Sequence, residues 1–368
     1  MSGCAETAPF LRLHRLAAAG ALLMLAVAAA GWWGASGAFF HAWLAGFLLW
    51  TGIGVGCLGL LMVGHLLGEA WLGPVRAELE AGALTLPLLA VAAVPVLLGL
   101  GEIYPWASPG PSAGPSAGLS GGLRPELAPT IRAEWLSPPF FVGRTVAYLA
   151  AWSLLAWIVT GPGRHHQRAS AVGLVLFVPT VTLAATDWAM SLHPQWLSSA
   201  FGLAFAASQL TAALALAVLV ASVRPDREPP GRVASLAGGL LVLVATAGYL
   251  WFMQFLVVWS ANLPDEVAWY LQRGGEWRWL MIGLILPSAG LAVLLLLRRR
   301  SRRRRPVLIA ASCLLLVQHV AHHYWQVRPS ADGLGIHWTD PVATTALGLV
   351  WLAAFARALP GRPVRVQR

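Results

Sequence analysis

The sequence predicts an all-α polytopic membrane protein of about ten transmembrane helices, and three observations carry that prediction. Hydrophobic residues make up 58% of the 368 and charged residues 11%, with a mean hydropathy of +0.67, a balance that soluble domains of this length do not show. The apolar residues fall in runs of roughly 20, the length that crosses a hydrocarbon core. All 25 basic residues are arginine, and they gather in the short segments between those runs.

The runs lie at 16–33, 38–66, 82–104, 139–160, 170–190, 197–222, 233–258, 279–297, 306–323 and 340–358. Nineteen arginines fall on one side of the resulting zigzag, among them Arg298–Arg300 and Arg302–Arg305, against five on the other. Positive charge stays cytoplasmic, so both termini, with the tail 359–368, are expected on the cytoplasmic side. Residues 107–137, rich in Pro, Gly and Ser, are expected to form a flexible extracytoplasmic loop. A faint internal echo, Trp43-Leu44 against Trp196-Leu197 at helix starts, suggests one integral membrane domain over 1–368. It would hold a leading helix (16–33), a four-helix bundle over 38–190, a second over 197–323, and a last helix (340–358).

Composition excludes several classes. The formal charge of +10 sits in loops and not on a soluble face, so nucleic acid is not an expected partner; lipid is. Cys4, Cys57 and Cys313 are too scattered for a disulfide framework, a metal site or an iron–sulfur cluster. Any iron–sulfur or c-type haem chemistry is therefore expected in another chain.

The polar groups within apolar runs carry the candidate chemistry, because ionisable residues at membrane depth face an interior, a cavity or a partner. Asp187 closes the fifth run inside the aromatic corner Thr186 to Trp196, with His193 beside it and Pro194 stopping the helix. The aspartate is either a proton-relaying carboxyl raised by burial or a helix-end acid paired with Arg144 or Arg278. His319, His322, His323 and Gln326 recur at i, i+3, i+4 and i+7, which places them on one helix face. That face offers a proton relay, or haem ligands together with His41. Glu102 and Arg144 are expected to pair across neighbouring helices. His65 and Glu69, at i and i+4, form a solvated pair at the other membrane face or open a proton half-path there.

Several of these stretches together resemble the F-type membrane subunit of bacterial alternative complex III, a quinol:electron-acceptor oxidoreductase. Beyond it lies the polysulfide-reductase membrane-anchor superfamily. The resemblance rests on Gly64 to Trp71 with Arg76 and Glu78, on Glu102 to Trp106, and on Trp135 to Arg144. It continues in Asp187-Trp188 with Met190 to Leu192, in Asn262 to Glu266 with Trp269-Tyr270 and Gly275 to Trp277, and in Tyr324-Trp325 with Pro329. It implies two four-helix bundles and no cofactor in this subunit. Iron–sulfur clusters and haems c would sit in partner chains: an iron–sulfur protein, a multihaem cytochrome c and a homologous membrane subunit. It further implies a possible quinone or quinol contact and a part in proton translocation. Glu69 and the pair His322-His323 depart from the family's pattern, the latter standing where relatives carry an acid.

The function expected is therefore a membrane subunit supporting quinol oxidation, which must release protons as it releases electrons. A stand-alone transporter is the alternative, and a b-type cytochrome a third reading.

Overall fold

The computed structural model describes residues 3–34, 36–68, 71–107, 134–162, 166–194, 196–224, 230–330 and 335–359. Regular structure among them is entirely helical. Ten helices are long and apolar enough to span a membrane: α1 Phe10–Gly34, α2 Ser36–Leu67, α3 Gly73–Leu98, α4 Pro138–Thr160, α5 His166–Leu192, α6 Phe201–Val223, α7 Val233–Ala261, α8 Glu276–Leu297, α9 Arg305–Ser330 and α10 Thr339–Ala358. The third begins nine residues before the expected start. Pro74, Pro87 and Pro95 interrupt it, so that Arg76–Ala83, Leu86–Ala92 and Val94–Leu98 are consecutive short helices, the last two starting with a proline in the first turn. The expected loop over 107–137 falls, from 108 to 133, outside the described residues.

Packing closes two four-helix rings, α2–α3–α4–α5 and α6–α7–α8–α9, in which each helix touches the next and the last returns to the first. The rings meet where α2 and α5 lie against α6 and where α2 reaches α9, while α1 and α10 pack together on the outside of α2. Apolar all round, α2 is the helix buried on every side, as such a composition requires. Its glycines allow the close approach. A Cβ at Gly52 would stand 1.9 Å from Gln209 Oε1, and one at Gly56 only 2.3 Å from the Gln209 carbonyl, so the Gly-x-x-x-Gly step lets the α6 backbone sit against α2. In contrast α1, α7 and α8 expose most of their apolar surface, as lipid-facing helices do.

Two further helices carry a proline well within their span. Pro287 has no N–H for the preceding turn, and α8 widens there into a π-helical turn over Met281–Ile285. Pro179 lies inside α5, where the Thr180 hydroxyl donates to the carbonyls of Leu176 (2.7 Å) and Phe177 (3.0 Å).

Candidate functional site

Two buried polar clusters lie at the same end of the molecule, the rim where the odd-numbered helices finish. The first belongs to the α2–α5 ring. Arg144, one turn into α4, places Nε 2.8 Å from Asp187 Oδ2 and Nη2 2.9 Å from Oδ1. This bidentate fork is the strongest carboxylate geometry available to a side chain. Tyr148, one turn further along α4, donates to Oδ2 (3.0 Å), and the Trp135 indole donates to Oδ1 (3.1 Å). Trp135 and Phe140 stack on the guanidinium at 4.1 and 4.4 Å. Asp187 is fully buried. The α5 backbone just beyond it is tied down as well, by the Tyr104 hydroxyl on the Trp188 carbonyl (3.0 Å) and by the Trp188 indole on Thr145 (3.0 Å). Burial, then the charge of Asp187, holds the Tyr104 phenol well above its ordinary range.

This geometry corrects one expectation. Arg144 pairs with Asp187 and not with Glu102, because α4 and α5 lie side by side with Arg144 and Asp187 at matching depth, whereas Glu102 is exposed at the end of the third span. The paired alternative for Asp187 is the arrangement found.

The second cluster belongs to the α6–α9 ring. His319, His322, His323 and Gln326 are all buried on one face of α9. His323 donates through Nδ1 to the His319 carbonyl (2.9 Å), which leaves Nε2 as an acceptor for the Gln209 amide of α6 (3.3 Å). The His319 and His323 rings lie 4.4 Å apart, and His322 sits edge-on to Trp251 of α7 at 4.6 Å. Above them, in the connection between α7 and α8, Arg273 is buried and pairs with no carboxylate among the described residues. Its guanidinium donates instead to the carbonyls of Trp269 (2.7 Å), Trp325 (3.1 Å) and Gln326 (2.8 Å). These carbonyls end the short helix Pro264–Leu271 and α9, so two helix dipoles supply the negative charge. The cation rests on the Trp269 ring at 3.5 Å.

Arg273 Nη2 also lies 3.4 Å from His193 Nε2. Burial first, then that cation, lowers His193 to about 3, so its imidazole is neutral at physiological pH. Burial lowers Arg273 itself to about 9, leaving it charged, and raises Tyr270 against the opposing influence of Gln254 and Arg273. The structure thus assembles His193, His319, His322 and His323 with Arg273 into one contiguous network and keeps Asp187 in the other cluster. Between the rings, Thr51, Gln209, Trp152 and Trp188 help line a cavity of about 10 Å³, the room of a single water.

At the opposite membrane face His65 is buried, with Nδ1 2.8 Å from Ser170 Oγ and its ring 5.4 Å from that of His166. Glu69 lies outside the described residues. Nearby, Glu80 pairs with Arg76 (2.8 Å) and Glu78 with Arg224 (3.2 Å), which fastens α3 to α6. His41 donates to the Gly37 carbonyl one turn back (2.9 Å).

Four buried polar residues escape a reading by periodicity. Gln209 is a lone amide in an apolar helix, and its intramembrane position was the available signal. Arg273 looks like an ordinary loop charge. Arg328 and Asp340 pair at 3.2 Å with both side chains almost wholly buried and join α9 to α10, a pairing that neither helix's own pattern announces.

The chain matches no protein-family profile, and no curated protein is similar to it at a significant level.

Proposed function

We propose that this chain is an integral membrane subunit of a quinol-oxidising respiratory complex of the alternative complex III type, embedded in a bacterial inner membrane. In this reading it supports quinol oxidation by handling protons at its rim. The single observation that carries the proposal is the pairing of two buried polar clusters at one end of a largely apolar bundle, one built on a bidentate ion pair and one on imidazoles. Polar groups at membrane depth are costly, and they persist where they serve a pathway or a partner.

The division of labour follows from hydrogen bonding. Both oxygens of Asp187 take charge-assisted or neutral donors, so this carboxylate organises the first ring. Proton handling is assigned to the imidazoles of His193, His322 and His323, whose two ring nitrogens can take a proton on one side and release one on the other. A quinol losing two electrons also sheds two protons, and a neutral base near the reacting oxygen takes them. The quinol of this proposal meets the chain at the rim, beside these imidazoles. Electron acceptors, an iron–sulfur protein and a multihaem cytochrome c, would dock on the same face beside a homologous membrane subunit.

Copurification tests the proposal directly. A tagged chain expressed in its native host is expected to bring down an iron–sulfur protein and a multihaem cytochrome, with quinol oxidation in the purified assembly. Recovery of a lone chain, with membranes lacking it oxidising quinol at an unchanged rate, would overturn it in favour of a transporter.

A further inference from the structure

Seven of the eight positions from Arg298 to Arg305 are arginine, far more than orientation of one hairpin needs, and they sit between α8 and α9 at the face opposite the rim. Arg302 folds back, its guanidinium donating to the Leu296 and Leu297 carbonyls and so closing the C-terminal end of α8. That turn leaves Arg298, Arg299, Arg300, Arg303 and Arg304 exposed, and none of these five forms an ion pair with a described residue. Directly above them Leu291, Leu294 and Leu297, at 48%, 63% and 54% exposure, make an apolar strip along one face of α8. Trp279, Ile282 and Leu286 continue exposed apolar surface toward the other end of the helix.

A cationic patch continuous with an apolar strip is complementary to one kind of molecule, an amphiphile with an anionic head. We propose that the Arg298–Arg304 turn and the lower part of α8 form a binding site for an anionic phospholipid, whose phosphate the arginines hold while its acyl chains lie on the leucine strip. Planar guanidinium groups match phosphate oxygens bidentately, and basic clusters immediately beside a transmembrane helix favour anionic lipids. A soluble acidic protein would answer the charge but not the leucines, and free phosphate would answer neither the strip nor its continuity with the patch.

Native mass spectrometry of the purified, full-length chain tests this, using phosphatidylglycerol and phosphatidylcholine vesicles as lipid sources and inorganic phosphate as competitor. Phosphatidylglycerol is expected to be retained in preference to phosphatidylcholine by about tenfold or more. The combined Arg299→Gln, Arg300→Gln, Arg303→Gln and Arg304→Gln variant is expected to lose that preference, and the matching four-Lys variant to keep most of it. Because binding is read on detergent-purified protein, a change in membrane orientation does not blur the result. Equal retention of the two lipids, a preference untouched in the Gln variant, or loss of the lipid to millimolar inorganic phosphate would each overturn the proposal. The outcome does not depend on any redox partner.

Discussion

Asp187 and Arg273 solve the same problem, a charge held inside an apolar bundle, by different means. Asp187 has a counter-ion and two further donors, so removing one member leaves the other charged and unpaired. Asp187→Asn and Arg144→Met are each expected to destabilise the chain by about 3–5 kcal/mol, and the double change Asp187→Leu with Arg144→Met to recover much of that loss. Thermal unfolding in detergent would measure it, and additive losses in the double variant would show that the two side chains do not act as a pair. Arg273 relies on helix-end carbonyls and a tryptophan face, and its charge in turn helps keep His193 neutral. His193 stays unprotonated in the fold down to about 3 against an ordinary value of 6.5, so the unfolded chain takes up that proton first as pH falls. This part of the stability is full above about 6.5 and is lost between about 6.5 and 3. The acid-side slope of unfolding temperature against pH should become shallower in His193→Gln; an unchanged slope would assign the loss to other groups.

At the scale of elements, α2 and α9 set the limits on change. The α2–α6 contact depends on absent side chains, and an added methyl at Gly56 meets the α6 backbone itself, which cannot rotate away. Gly56→Ala is expected to cost about 1–3 kcal/mol by overpacking, whereas Gly143→Ala and Gly248→Ala, where nothing lies within 4 Å, should cost nothing and gain helix propensity. Comparing the three unfolding temperatures checks this. The polar face of α9 was legible as soon as its period was written out, because a buried stripe at i, i+3, i+4 and i+7 is a property of one helix alone. What those imidazoles meet was not, since Gln209, Trp251 and Arg273 arrive from three other segments.

For the whole molecule, ten spans and the arginine distribution place the odd-numbered helix ends on one side. Single cysteines in a Cys-free background should therefore react with a membrane-impermeant maleimide from one side at position 137 or 272. They should react from the other at position 298 or near either terminus. Labelling of 137 and 298 from the same side would break the ten-span arrangement. The two rings also predict that the clusters can be damaged separately: Arg144→Met should leave the His193–Arg273 contact standing, since no described side chain hydrogen-bonds to both clusters.

Hydropathy and charge along the chain determined the number of spans and their order, because solvation of a segment by lipid depends on its own composition. The choice of Asp187 over Glu102 as the partner of Arg144, the capture of Arg273 by two helix ends, and the burial of Arg328 against Asp340 were decided only by the tertiary structure. Each depends on which helices become neighbours and at what relative depth, which no local pattern contains.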